Sequence, residues 1–298
     1  MTPRLAIATC AEYPELVDDD RPLLAALAAR GIEAGPVDWR ADGAWADCGA
    51  VLLRSVWNYY EHADEFGAWL ARLERDGVHC WNPPALVRWN LDKRYLRDLA
   101  AKGVATVPTL WVDRTTHGSA DAVAARILET GWPDLVLKPA ISAGAWRTLR
   151  LRREDVAGQT PYLRRVLEDG DLMVQPFVPE ILEDGEHSLL FFDGRFSHAV
   201  RKRARAGDFR VQWTHGGTQA PTTPPAALVA QARAVLDAAP SAGLYARVDG
   251  VVRDGRLILM ELEQIEPYLY FAEAPGSLDR FADALRARLL ATSRSRSV

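Results

Sequence analysis

Of the 298 residues only three are cysteine (Cys10, Cys48 and Cys80), and none of them falls in a CxxC pair. So sparse and odd a set excludes a disulfide scaffold and a thiolate metal site, and points to a reducing compartment, the cytoplasm. No run is long and apolar enough to span a membrane. The segment Met1–Cys10 is too short in its apolar part for a signal peptide and reads as a first core strand. A basic excess is missing as well. The net charge is -4 and the cluster Arg201-Lys202-Arg203 with Arg205 is short, so neither nucleic acid nor an anionic membrane is indicated as a partner. There is no internal repeat. The fingerprint GxGxxG does not follow the first strand, which removes a dinucleotide site there and with it the oxidoreductase readings.

The length leaves room for two or three small domains. Residues 4–10, 32–39 and 49–54 read as strands alternating with helices. Pro22 opens the first helix and Gly31 closes it. A second helix over 62–76 carries Phe66, Trp69, Leu70 and Leu73 on one face. This alternation predicts a small, doubly wound parallel sheet. Arg54, at the carboxyl end of the third strand, either grips a substrate carboxylate or lies exposed beside packed aromatics.

Pro83-Pro84 marks a boundary. Residues 86–102 predict one helix carrying Lys93, and 104–112 a strand kinked at Pro108. Leu135–Pro139 is a strand ending in Lys138, followed by a small-residue loop whose Ser142 and Gly144 could wrap a phosphate. Leu172–Val178 contains Gln175-Pro-Phe177-Val178, and Asp193-Gly194 joins two strands as a hairpin. The polar stretch 201–223 holds Asp208 and Arg210, substrate contacts or a solvated pair, and His215-Gly216-Gly217, further substrate candidates unless His215 is a loop histidine without a role. The last helix is expected over 277–291, with 293–298 as a frayed tail. Trp57, Trp81 and Trp89 read as core residues.

The most informative stretch is a second Asp-Gly hairpin. Asp249 lies in Tyr245–Val252, and Glu261 and Glu263 lie on one face of the return strand. A two-residue loop at Asp254-Gly255 sets Asp249 opposite Met260, away from both glutamates. A three-residue loop aligns all three acids, and is the one expected. Three carboxylates on one face repel unless a cation lies between them, and hard oxygen ligands suit Mg²⁺.

The order of these features resembles the ATP-grasp superfamily over roughly residues 86–270. A lysine precedes a strand-end Lys-Pro with its small-residue loop; Gln-Pro-Phe-Val, Gly185-Glu186-His-Ser188 and a basic strand end follow, and last comes Asp249 with Glu261-x-Glu263 twelve residues on. The resemblance implies an α/β and α+β chain: an N-terminal Rossmann-like, pre-ATP-grasp domain (1–85), a small lid subdomain (86–172) and a core subdomain with the metal site (173–292). It implies that Lys93 and Lys138 contact ATP phosphates, Lys138 also the adenine side, with Ser142 and Gly144 in the phosphate loop. Gln175, Phe177 and Val178 fall in the adenine hinge and Glu186 at the ribose. Lys202 and Arg247 fall where cations neutralise the γ-phosphate and an acyl phosphate, although Arg247 can also be read as a structural partner of Asp249. Asp249, Glu261 and Glu263 fall on the ligands of two Mg²⁺ ions. The phosphate loop has one glycine where many members have several, and Glu263 stands where many carry Asn.

Within the superfamily, Met260-Glu-Leu-Glu263 with Glu266-Pro267, Leu86–Leu96, and Phe191–Gly194 with Ser197-His198 are most similar to the D-cycloserine synthetase branch. That resemblance implies an ATP- and Mg²⁺-dependent carboxylate–amine ligase. Its partner is a small amino-acid-like carboxylate, its ring closure intramolecular, and its oligomer a homodimer. The other readings are a non-catalytic ATP-binding regulator and a carboxylase or phosphotransferase on the same fold. A worn-down binder would be free to lose the three acids and two lysines that this chain keeps.

Overall fold

The computed structural model describes residues 5–41, 45, 48–116 and 118–295. The expected tail falls partly within it: the last helix continues to Ser295, and 296–298 lie outside the described residues.

Three sheets organise the described residues. The first contains β1 (Leu5–Thr9), β2 (Ala34–Asp38), β3 (Ala50–Ser55) and β4 (His79–Trp81), all parallel in the order β2-β1-β3-β4. Its helices are α1 (Pro22–Ala28) and α2 (Ala63–Arg75). The central strands β1 and β3 are buried throughout and apolar on both faces over Leu5–Ala8 and Ala50–Leu53, as a sheet covered on both sides requires. Leu5, Ile7 and Leu52 enter one cluster, whereas Ala6, Ala8, Val51 and Leu53 enter another with Phe66, Trp69, Leu70 and Leu73 of α2. β4, three residues long, was not expected.

The predicted helix over 86–102 is two helices, α3 (Pro84–Leu91) and α4 (Tyr95–Ala101). The chain breaks at Asp92, which is extended, so Lys93 sits between helices rather than on one. Its main-chain N–H crosses to the Ala140 carbonyl at 2.9 Å. The second sheet holds β5 (Leu110–Val112), β6 (Asp134–Pro139), β7 (Leu149–Arg152) and β8 (Leu172–Pro176), antiparallel in the order β5-β8-β6-β7. Helices α5 (Ala120–Glu129) and α6 (Thr160–Asp169) cover one face through Val123, Ile127, Leu163 and Val166. The expected boundary at 172/173 falls inside β8, whose ladder lies wholly in this sheet. Its other expected end shifts too, since α4 packs under the third sheet and Thr106 bridges to Leu259 there.

After the short α7 (Glu180–Glu183), the third sheet consists of β9 (Glu186–Phe192), β10 (Arg195–Arg203), β11 (Thr218–Thr222), β12 (Tyr245–Arg253) and β13 (Arg256–Glu263). Its order is β11-β10-β9-β12-β13, antiparallel throughout. One face packs on α4 and on α8 (Ala226–Ala238) through Leu189, Phe191, Leu228, Ala232 and Val235. Helix α9 (Ser277–Ser295) ties this sheet to the first: Phe281 and Leu285 share a core with Ile7, Leu27, Leu190 and Phe192. No helix among the described residues is long and apolar enough to cross a membrane.

Candidate active site

The two Asp-Gly turns that join β9 to β10 and β12 to β13 are both two-residue turns with left-handed central residues: φ 48° and 71° at Asp193-Gly194, 51° and 74° at Asp254-Gly255. The three-residue loop expected at the second turn is therefore not formed. The acids are aligned by another device. Arg253 pairs with Arg256 and Gly250 with Leu259, but Asp249 pairs with Glu261, so Met260 is an extra residue, a β-bulge. The bulge turns Met260 and Glu261 to the same side and brings Glu261 and Glu263 round to join Arg247 and Asp249. Leu257, Leu259 and Leu262 remain in the core beneath. Ser197 is the corresponding bulge of the first hairpin, and places Lys202 opposite Glu186.

All three sheets border one cavity of about 750 Å³. Among the expected residues it brings together Lys93, Lys138, Ser142, Gly144, Gln175, Phe177, Val178, Glu186, Lys202, Arg210, His215, Arg247, Asp249, Glu261 and Glu263. Lys93 donates from Nζ to the Ser142 carbonyl and pairs with Glu261 at 3.1 Å. The ammonium of Lys138 has no hydrogen-bond or ion-pair partner among the described residues. Burial lowers its pKa and Lys93 adds to that, while Glu261 opposes them. Gln175 donates to Thr109 Oγ1 at 3.0 Å, and the Phe177 N–H to the Asp134 carbonyl at 2.8 Å. Arg150 stacks 3.4 Å from the centre of the Phe177 ring.

The acids are compensated by protein cations. Asp249 receives Ser188 Oγ at 2.5 Å, Lys202 at 3.2 Å and Arg247 Nη2 at 2.9 Å. Burial would raise its pKa, but Arg247 and Lys202 hold it at about 2. Lys202 also pairs with Glu186, whose pKa burial nevertheless raises. Burial pushes Glu263 up to about 7 despite its pair with Arg247. In Glu261 the effect of burial is outweighed by Lys93 and Lys138, and its pKa is lowered. The repulsion argued from sequence is therefore relieved by Lys93, Lys202 and Arg247, and alone demands no metal. Among the described residues no cluster of three or more His, Cys, Asp or Glu side chains is drawn together for one. The donor set still fits Mg²⁺ in part: Glu261 and Glu263 keep side-chain exposures of 31% and 26%, with oxygen available, whereas both oxygens of Asp249 are engaged.

Four expected substrate residues are placed elsewhere. Arg54 is 1% exposed and held by Asp20 Oδ1 at 2.8 Å and the Pro267 carbonyl at 2.6 Å, against the Tyr245 ring. A guanidinium so enclosed cannot grip a ligand in the cavity. Asp208 is chelated by Arg210, which lowers its pKa, and does not line the cavity. Gly216 (φ 81°) and Gly217 serve the backbone, since a Cβ at Gly217 would lie 2.1 Å from the Val211 carbonyl. His215 does line the cavity, with Nε2 3.3 Å from the Gly144 carbonyl.

Residues given no site role from sequence complete the walls. Glu12, Tyr13, Asn58 and Tyr60 come from the first sheet's carboxyl edge, and Trp57, expected in the core, lines the cavity with them. Glu266, Tyr268 and Tyr270 follow β13. Tyr270 is left-handed at φ 54°, and Asp19 supports this turn by accepting from the N–H groups of Leu269 (2.7 Å), Tyr270 (3.0 Å) and Phe271 (2.8 Å). The turn in its place, the Tyr268 carbonyl receives Arg247 Nη1 at 3.0 Å. Asp19 stands in an acidic run with Glu12, Glu15, Asp18 and Asp20, and nothing in that run names its partner.

Comparison with known proteins agrees over nearly the whole chain. The family model described as the N-terminal domain of D-cycloserine synthetase DcsG matches residues 5–82. The cycloserine biosynthesis protein DcsG of Streptomyces lavendulae is 33% identical over 301 residues, covering 96% of this chain and 98% of that one. The crystal structure of D-cycloserine synthetase DcsG has a TM-score of 0.86 at 32% identity, over 96% of this chain and 99% of its own. The ATP complex of D-alanine–D-alanine ligase from Bacillus anthracis has a TM-score of 0.70 over 99% of both chains, at 18% identity a likeness of fold alone.

Proposed function

The chain belongs to the D-cycloserine synthetase family of ATP-grasp ligases, and from that premise we propose that it activates the carboxylate of a small amino-acid-like substrate with ATP and joins it to an amine of the same molecule. The observation that carries the reading is the meeting of Lys138, an ammonium that makes no ion pair among the described residues, with Lys93, Glu261 and Glu263 in one cavity. A bound triphosphate would supply that anion.

In this reading a carboxylate oxygen of the substrate attacks the γ-phosphorus and ADP leaves. The amine nitrogen then attacks the acyl carbon, phosphate departs, and the nitrogen loses a proton. Mg²⁺, when bound, supplies charge neutralisation on the phosphoryl oxygens. Glu261 and Glu263 would hold it, with Asp249 joining as Arg247 and Lys202 turn towards phosphate; two ions are the family expectation. Lys93 and Lys138 would face the phosphates beside the Ser142–Gly144 loop, and Gln175, Phe177, Val178 and Glu186 the nucleoside. Lys202 and Arg247 would meet the charge that develops in transfer. His215 and Arg210 border the same space. A cytoplasmic homodimer completes the proposal.

The test is ADP release with ATP, Mg²⁺ and a panel of amino-acid-like carboxylates that includes O-ureido-D-serine, with hydroxylamine present to trap an activated acyl group. Hydroxamate from one class of acid, and a cyclised product without the trap, is the expected result. Tight binding of Mg-ATP with no ADP from any acid would overturn it.

A further inference from the structure

The charges around the cavity are not all answered by partners. Lys93, Lys202 and Arg247 each meet an acid, as described above, but Glu266 makes no ion pair among the described residues. Its residue exposure is 8% and it lines the cavity. Apart from its own main-chain N–H, no hydrogen bond or ion pair reaches its carboxylate among the described residues. Arg54, the guanidinium behind it, gives its other nitrogens to Asp20 and the Pro267 carbonyl, and its buried Nη1, which has no hydrogen-bond partner, does not reach Glu266. A buried, unpaired carboxylate is costly to ionise. Burial pushes Glu266 up to about 8, and Glu263 adds to that against Arg54 and Arg247. An arriving cation is what would return the group to its charged form.

The walls beside Glu266 are aromatic. Trp57 Nε1 donates to the Glu266 carbonyl at 3.2 Å, which fixes the indole next to it. The Trp57 ring lies 5.4 Å from Tyr13, edge to face, and 6.3 Å from Tyr268. Ring faces attract cations but offer Mg²⁺ none of the several oxygens it requires. An organic ammonium suits an acid among rings; a hydrated metal ion does not.

We propose that Glu266, walled by Trp57 and Tyr268, anchors a protonated amine of the substrate, so that the carboxylate to be activated belongs to an amino acid held by its ammonium. This deepens the ligase reading and rests on it for the reacting end of the molecule. The ammonium donates to the Glu266 carboxylate and lies against the two rings, while the substrate's own carboxylate extends towards Arg247 and Lys202.

The full chain, loaded with Mg-ADP, is titrated calorimetrically with O-ureido-D-serine and with its analogue lacking the amine. The amine-bearing compound is expected to bind about tenfold more tightly or better. The Glu266→Gln variant is expected to lose that preference and to keep its affinity for Mg-ADP, which also verifies its fold. Equal binding of the two compounds, binding of neither, or a preference that survives in the variant overturns the proposal. So does a loss of Mg-ADP affinity, which would make Glu266 a metal ligand. ADP release is scored separately with ATP. A preference without ADP release upholds the subsite and faults the ligase reading; ADP release without a preference faults the subsite alone.

Discussion

The two Asp-Gly hairpins of the third sheet are built to one plan and end in different states. Each has a tight left-handed turn and one bulged residue on its return strand, Ser197 in the first and Met260 in the second. In the first, the charges so aligned close on each other: Glu186 and Lys202 have side-chain exposures of 9% and 5%. In the second, Arg247 and Asp249 close similarly, but Glu261 and Glu263 keep exposures of 31% and 26% at the cavity. The same architecture therefore yields a sealed ion pair in one place and acids with unused oxygen in the other. Residue type does not separate the two; exposure and the hydrogen-bonding capacity it leaves do.

That contrast is most sharply broken by two substitutions. Glu261→Gln is expected to reduce ADP formation by about 10²-fold or more with the fold retained, as loss of the proposed, partly exposed ligand should. Undiminished ADP production would remove Glu261 from the metal site. Lys202→Met should also lower ADP formation and, unlike Glu261→Gln, strike stability. It leaves Glu186 and Asp249 short of a cation, at a cost of about 3–5 kcal/mol by denaturant unfolding. An unchanged unfolding midpoint would mean that the first hairpin is not sealed as described.

A smaller effect is expected where the second hairpin's strands run closest. A Cβ on Gly250 would stand 2.6 Å from the Ile258 carbonyl oxygen, directly beside the bulge. Gly250→Ala should cost about 1–3 kcal/mol, because backbone must move rather than a side chain. Full stability in that variant would show that the register beside Met260 is looser than the ladder implies.

The finest distinction is in pH. His198, next to the first bulge, donates from Nε2 to the Leu269 carbonyl at 2.8 Å as a neutral ring, and burial lowers its pKa to about 4. The unfolded chain then binds more protons below about pH 6.5, so its contribution is present above that value and lost as pH falls towards 4. Glu263, raised to about 7, has the opposite sign: its contribution is present below its ordinary value of 4.5 and is lost as pH rises through 7. His198→Gln and Glu263→Gln should therefore tilt the stability profile in opposite directions between these limits, by on the order of 1–3 kcal/mol. Parallel tilts in chemical denaturation would refute the pairing.

Much of this site was legible because its signals are local. Two Asp-Gly dipeptides between apolar runs announce hairpins, a Lys-Pro closes a strand, and acids two apart share a strand face. What escaped depends on a single backbone irregularity or on distant contact. The aligned acids were expected for a wrong reason, since a bulge and a longer turn give the same facing from one sequence. Lys93 was placed on a helix because nothing in Leu86–Leu96 marks the break at Asp92, which forms as the chain crosses to Ala140. Arg54 looked available because its acid, Asp20, lies 34 positions earlier and the Pro267 carbonyl 213 later.

The three bonds from Asp19 to residues 269–271 bear on how such a chain can be recombined. The Pro83-Pro84 boundary invites grafting one relative's first domain onto another's remainder. Yet the strap that carries Glu266, Tyr268 and Tyr270 is fastened from the other side of that boundary. A chimera joined there would carry a correct sequence on both sides and a misplaced carbonyl opposite Arg247, unless 12–20 and 264–271 travel together as one inherited block.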